Sequence, residues 1–273
     1  MKKRIELSWE DDDLTMLEAV GVWTQEKYRL LYDTLEILST GMKDLWNQRV
    51  YLDLFSGPGC APLKGTDRVL KGSPLLALSG PHQFDKYIFC DENEEYIDVL
   101  RHRIDAHFSS SKVAYVIGDA NEKVDEILGH VPRYSKANTV LSFCFVDPYD
   151  LCIHFNTLKA LASDRLVDYL ILLALFMDVN RNVKTYTDPS SVKVDKFLGD
   201  SSWRERWIDF KNKKDSLPLF VAREFEKRML SLSYKKSDKG NMLEFRSDEK
   251  NLPLYHLAYF SKHPRGYDFW EKA

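Results

Sequence analysis

Four apolar stretches in this chain each lead into an aspartate, and the first then breaks into glycine. Val50-Tyr51-Leu52-Asp53 is followed by Leu54-Phe55-Ser56 and then by Gly57-Pro58-Gly59. Residues 87–90 lead to Asp91, Val113–Ile117 to Gly118-Asp119, and 139–146 to Asp147-Pro148-Tyr149. The acids recur roughly every 30 residues, the length a parallel strand–helix–strand unit needs. Residues 139–146 are an almost unbroken apolar run, as expected of a strand covered on both faces. This patterning predicts an α/β, Rossmann-like fold with a doubly wound, mostly parallel sheet.

The intervening segments fit that frame. Helical spacing predicts a helix over 25–40, capped by Thr24 and ended by Gly41. Its apolar face is Tyr28, Leu31, Leu35 and Leu38. Residues 61–73 read as a Lys/Gly-rich loop, after which Pro74 opens a short helix through Leu78. Further helices are expected over 94–108, 121–128 and 157–162, with a fifth strand over 169–175. After Met177 the alternation stops. Residues 178–228 read as a helical insertion with helices at 192–198, 203–211 and 219–229. A hairpin of 232–234 with 243–246 is expected next, then a strand over 254–260 and a short aromatic segment at 267–270. The expected organisation is an N-terminal helical segment (1–48), a core (49–177), a helical insertion (178–230) and a β-rich end that completes the core sheet (231–273).

Composition narrows the function. With 273 residues, 44% of them hydrophobic and 13% aromatic, the chain can bury an ample core. No apolar run approaches the ~20 residues that span a bilayer. The start, Met1-Lys2-Lys3-Arg4, leads into Glu10-Asp11-Asp12-Asp13 rather than an apolar signal segment, so a cytoplasmic protein is expected. Cys60, Cys90, Cys144 and Cys152 lack paired spacing, and Cys90 and Cys144, in apolar strands, read as buried inert thiols. The seven histidines show no metal spacing, so no metal site is expected. The net charge of −3 excludes a global basic footprint. Residues 201–273 nevertheless hold 16 Lys/Arg against 11 Asp/Glu, clustered at Lys211-Asn212-Lys213-Lys214, Lys235-Lys236 and Lys262-His263-Pro264-Arg265. These clusters read either as solvated surface or as a phosphate-facing rim.

The acids and glycines define a candidate cofactor site. In an open α/β sheet, ligands bind beyond the carboxyl ends of the strands. Gly57 and Gly59 let the backbone approach a ligand, and Asp53 and Phe55 lie just before them. An acid beside a glycine turn suits the ammonium head of S-adenosylmethionine (SAM). A nicotinamide dinucleotide would want a third glycine where Pro62 stands, and Asp53 would repel its pyrophosphate. Asp91, with Glu92 as rival, is placed for ribose hydroxyls. Asp119, Ala120 and Asn121 are placed for adenine, or Asp119 or Asn121 caps the next helix. Asp147-Pro148-Tyr149 reads as a reaction centre: the acid accepts from a planar amine, and Tyr149 stacks on a flat substrate such as a base. The bland alternative is a turn. Lys27, near a helix start, can pair with the SAM carboxylate or a substrate phosphate, or lie at the surface. Arg181, in Asp178-Val179-Asn180-Arg181-Asn182, can bind an anion or a helical neighbour.

With these residues in place, the chain resembles the three-Cys-motif partner family (TcmP), a class I SAM methyltransferase-like group. The matching landmarks include Trp23-Thr24 with Lys27, Asp53 through Gly59, and Gly72-Ser73-Pro74-Leu75. Further on they include Gly118 through Asn121, Phe145 through Tyr149, Met177 through Asn182, Trp203-Arg204, Tyr255-His256-Leu257 and Ser261 through Pro264. The resemblance implies a class I methyltransferase core and a partner protein bearing three cysteines, similar to radical-SAM-like proteins. Lys27, Gly72-Ser73-Pro74 and Asp147-Pro148-Tyr149 are also similar to landmarks of the rRNA adenine-N6 methyltransferases, although that family carries two prolines after the acid. The expected function is SAM-dependent methylation of a base nitrogen in RNA or DNA. The alternatives are methylation of a protein or small molecule, and a non-catalytic SAM-binding module.

Overall fold

Val50, Tyr51 and Leu52 are wholly buried, so the strand that carries them needs a partner on each edge and cover on both faces. It has them in a computed structural model that describes residues 6–108, 111–163, 165–211, 216–238, 240–246 and 251–271. The chain forms two compact units, residues 1–145 with 268–273, and Val146–Tyr267.

The first unit runs β1 (Ser8–Trp9), α1 (Trp23–Met42), β2 (Gln48–Asp53), β3 (Cys60–Pro62), β4 (Val69–Lys71), α2 (Ser73–Leu78), β5 (Lys86–Asp91), α3 (Glu94–His107), β6 (Val113–Ile117), α4 (Val124–His130) and β7 (Val140–Val146), whose last residue opens the second unit. β2 pairs in parallel with β5 on one edge and β7 on the other, with Leu52 opposite both Ile88 and Cys144. β6 continues the block beyond β5. The chain therefore steps outward from β2 through β5 to β6, then returns to the far edge of β2 as β7. That reversal is a topological switch point, where open α/β sheets hold ligands. Tyr51 stacks on Phe143 at 6.1 Å and meets Phe84, Tyr87 and Phe89, which fixes the middle of the block.

The second unit runs α5 (Phe155–Ser163), β8 (Val167–Leu173), a π-helical turn (Leu175–Val179), α6 (Val183–Thr187), α7 (Lys193–Leu198), α8 (Trp203–Lys211), α9 (Leu217–Ser231), β9 (Met242–Arg246), β10 (Pro253–Phe260) and α10 (Pro264–Trp270), whose end returns to the first unit. β10 lies antiparallel to β8 on one edge and to β9 on the other. Phe225 of α9 stacks on Phe197 of α7 at 4.7 Å. No helix among the described residues is long and apolar enough to cross a membrane.

The α/β alternation, the parallel block, the helical run after β8 and the β-rich end agree with the sequence expectation. Several local details differ. Thr24 is buried inside α1 and Val22 occupies the cap with no side-chain bond, because the helix starts two residues early, on Trp23. Gly41 does not end it; helical geometry continues through Lys43. The stretch expected as a loop at 61–73 holds most of β3 and all of β4; β4 pairs with β3 on one edge and β1 on the other as a small antiparallel sheet. Residues 121–128 become helical only at Val124, because Asp119 first closes a turn on Asn121. Residues 232–234 form no strand: the Tyr234 hydroxyl is buried and donates to the Val167 carbonyl at 2.9 Å. The hairpin is β9 with β10. Of the basic cluster at 211–214, residues 212–214 lie outside the described residues.

β8 is buried along its whole length, yet it carries Asp168. Tyr259 donates to Asp168 Oδ2 at 3.1 Å, and Ser261 and Lys262 face the same carboxyl. Burial raises this carboxyl to about 6 against the opposing pull of those groups. The folded state therefore binds the Asp168 proton more tightly than the unfolded chain does. Its stabilising share is full below about pH 4 and is lost as pH rises through about 6, a change of about 3 kcal/mol. Asp168→Asn is expected to gain on the wild type by up to that amount between about pH 4 and 7. Urea unfolding of both proteins across that range measures it; parallel curves would contradict the assignment.

Candidate cofactor site

All four acids singled out in the sequence stand at the carboxyl ends of parallel strands. Asp53 is the last residue of β2 and Asp91 the last of β5. Asp119 follows β6 by two residues, and Asp147 directly follows β7.

The turn after β2 is built around Asp91. Its Oδ2 accepts the Gly57 N–H at 2.8 Å and its Oδ1 accepts the Asn93 N–H at 3.0 Å. Burial pushes this carboxyl up, while hydrogen bonds from the Asn93, Gly57 and Glu92 amides pull it down. Asn93 in turn caps α3 by accepting from the Glu95 N–H. Ser56 donates to the Cys90 carbonyl at 3.0 Å, so the turn is fixed to β5 at two points. Glu92 beside them is exposed.

Gly57 and Gly59 have φ of +58° and +90°, conformations that side chains other than glycine adopt at a cost. A Cβ on Gly59 would come within 2.9 Å of Leu100 and 3.2 Å of Leu75. Gly72 donates to the Gly59 carbonyl at 2.6 Å, and a Cβ there would meet that carbonyl at 3.0 Å. The Gly72-Ser73-Pro74 segment thus backs the glycine turn, a contact the sequence did not show.

Asp53 is wholly buried. It accepts from the Tyr51 hydroxyl at 3.2 Å and the Phe55 N–H at 3.4 Å. Phe55 is half-buried. After β6, the Gly118 N–H donates to the Asp91 backbone carbonyl, which joins the two strand ends. Asp119 is exposed, and its Oδ1 accepts both the backbone and side-chain N–H of Asn121 at 2.8 Å. Ala120 between them is buried. Asp119 closes the turn before α4 but does not cap that helix, whose cap is Lys123. Lys27 is the fifth residue of α1, with Nζ 4.9 Å from the Tyr28 ring centroid. Burial pushes the Cys60 and Cys90 thiols up to about 12 and Cys144 well above its ordinary value, so these are inert core side chains.

The Asp147 segment opens the second unit. Asp147 is half-buried and Pro148 buried, while Tyr149 is 84% exposed. Leu151 donates its N–H to Asp178 Oδ2 at 3.3 Å, and Tyr186 donates its hydroxyl to the same oxygen at 2.7 Å. Asn182 donates to Asp178 Oδ1 at 2.9 Å. Asp178 lies in the π-helical turn, a feature common at functional sites. It therefore anchors the chain just past Tyr149, a role the sequence did not single out. Arg181 is exposed. Of the basic residues expected at a phosphate-facing rim, Lys262 turns inward: its Nζ donates to the Ala162 carbonyl at 2.8 Å and lies over the Tyr234 ring. Lys235, Lys236 and Arg265 are exposed, and Lys236 lies 4.0 Å from Glu226.

No protein-family model matches this chain. No curated protein matches it either. Solved structures do. A Legionella pneumophila protein described by the family model DUF519 is 15% identical, with 86% of this chain and 84% of that chain covered at a TM-score of 0.51. An O-methyltransferase from Bacillus cereus, in complex with SAH, is 12% identical with 85% and 80% covered and a TM-score of 0.48. Trm1 from Pyrococcus horikoshii, in complex with S-adenosyl-L-methionine, is 10% identical with 96% and 63% covered and a TM-score of 0.43. At these identities the likeness concerns the fold alone, a Rossmann-like α/β arrangement with a mostly parallel sheet.

Proposed function

We propose that this chain is a SAM-dependent methyltransferase acting on a base nitrogen of RNA or DNA. The observation that carries the reading is the Asp91–Gly57 hydrogen bond beside the switch point. It holds a glycine turn open at the carboxyl end of β2, and the three amide donors on Asp91 leave one of its four lone-pair sites for a further donor. The residues present fit the cofactor. Two positive-φ glycines present backbone without side chains, and acids end β2 and β5 and follow β6.

When bound, SAM supplies an electrophilic methyl group on its sulfonium. On this reading Asp91 and Glu92 accept from the ribose hydroxyls, while Asp119, Ala120 and Asn121 meet the adenine. Phe55, Gly57 and Gly59 line the methionine part. Asp53 is enclosed, so its charge favours the ammonium head as a short-range field through the turn rather than by open contact. Lys27 pairs with the SAM carboxylate or a substrate phosphate. Asp147 and the carbonyl of Pro148 accept the hydrogens of the target amine, which aims its lone pair, and the exposed Tyr149 ring stacks on the base. Lys235, Lys236 and Arg265 offer charge to a nucleic-acid backbone. The resemblance to the TcmP family adds a three-cysteine partner protein to the same proposal, and the setting proposed for it is the cytoplasm.

Two measurements test it. Calorimetry with SAM and S-adenosylhomocysteine is expected to give micromolar binding by wild type, weakened at least about tenfold in Asp91→Ala and in Asp53→Ala. No binding by well-folded wild type would overturn the cofactor assignment. Transfer of labelled methyl from SAM to total RNA and DNA is expected with wild type and to fall at least about a hundredfold in Asp147→Ala. Full turnover in that variant would remove Asp147 from the reaction centre.

A further inference from the structure

Arg103 is 1% exposed although it sits on α3, a helix whose outer face could have kept it in water. A guanidinium in that position must be paired and hydrogen-bonded throughout. Its Nε and Nη2 each donate to one oxygen of Asp12 at 2.7 Å. Its Nη1 donates to the Thr15 carbonyl at 3.0 Å and to the Pro58 carbonyl at 2.6 Å. Arg103 holds the Asp12 carboxyl down at about 2. One side chain thereby fastens residues 12–15 to the middle of Gly57-Pro58-Gly59. The contact continues along the chain. The Thr15 hydroxyl donates to Glu95 at 2.6 Å, Leu17 donates its N–H to the Cys60 carbonyl at 3.1 Å, and Val20 donates to the Pro62 carbonyl at 2.8 Å. The Leu17 side chain lies 3.4 Å from where a Cβ on Gly57 would stand.

From this geometry we propose that residues 12–17 form one wall of the cofactor site and that Arg103 is its positioning residue. By holding the Pro58 carbonyl, Arg103 fixes the peptide groups on either side of it, including those of Gly57 and Gly59. A glycine turn has many conformations available, so its binding shape must be imposed from outside. Asp91 imposes it from the β5 side and Arg103 from the α3 side. The proposal rests on the reading that this turn binds SAM.

The test compares wild type, Arg103→Gln, Arg103→Lys and Arg101→Gln by calorimetry with S-adenosylhomocysteine, well below every unfolding midpoint, and by amide hydrogen exchange without ligand. Arg101 pairs with Asp98 on the exposed face of α3 and serves as control. Arg103→Gln is expected to weaken binding at least about tenfold, and Arg103→Lys to recover only part, because an ammonium lacks the planar fork. Arg101→Gln is expected to bind as wild type. In Arg103→Gln the Leu17 and Gly57 amides are expected to lose at least about tenfold in protection, while Tyr51 and Phe143 keep theirs. A purely structural role would lower the midpoint and leave the affinity of the folded protein unchanged; that result, or unchanged exchange at Leu17 and Gly57, overturns the proposal. Absence of binding by wild type overturns the cofactor reading and the wall with it, while the exchange data separately decide whether Arg103 holds the turn. Should Arg103→Gln not fold, Asp12→Asn releases the same contact from its more exposed end and gives the same readouts.

Discussion

The hydrogen bond from the Gly57 N–H to Asp91 ties together the two halves of the candidate site: the turn that leaves β2 and the strand end of β5. Parallel pairing brings those strand ends side by side, with Asp53 opposite Phe89, and the bond then decides the path of the chain between β2 and β3. Without an acceptor there, a buried amide would be orphaned and the turn would lose its reason to curl over β5. The same carboxylate accepts from Asn93, whose own side chain starts α3, so strand end, glycine turn and helix cap form one connected unit. The inward face of α3 then delivers Arg103 to the other side of the turn. Local backbone geometry, helix placement and candidate chemistry are thus one arrangement.

The second unit shows a comparable economy around Asp178. One carboxylate takes the Tyr186 hydroxyl, the Leu151 amide and the Asn182 amide, and so holds the segment that follows Tyr149. The exposure of the Tyr149 ring is set by a buried proline before it and an anchored amide two residues after it. Asp168 is the contrasting case. It is an acid inside the sheet, tied to Tyr259 and raised by burial, and it bears on stability rather than on ligand contact.

Much of this was legible in the sequence. The apolar runs ending in Asp53, Asp91, Asp119 and Asp147 are strands because β-rich, two-sided hydrophobic segments have few other ways to be buried, and strand length places the acid at the end. The elements from 113 to 117 and from 203 to 211 have the bounds their patterns predict. What was not legible depends on long-range partners. Nothing near Arg103 in the chain announces that its guanidinium is buried, because Asp12 and Pro58 become its neighbours only on folding. The β3–β4 pair hides in a Lys/Gly-rich stretch, since Val69-Leu70-Lys71 is too short to show a period and is recruited by β1. Thr24 looked like a helix cap by residue type, but Trp23 already adopts helical geometry and carries Thr24 into the core. Asp53 reads as an open ligand contact until the fold is seen to bury it.

The central claim is that a ligand with an adenosine and an amino-acid head binds at the glycine turn between the ends of β2, β5 and β6. Backbone amide NMR of the full chain, titrated with S-adenosylhomocysteine, tests it residue by residue. The account predicts saturable shifts concentrated at Phe55 to Gly59, at Asp91 to Asn93 and at Gly118 to Asn121, with β9 unaffected. A titration that leaves those amides unmoved, or that shifts a different set, would contradict it.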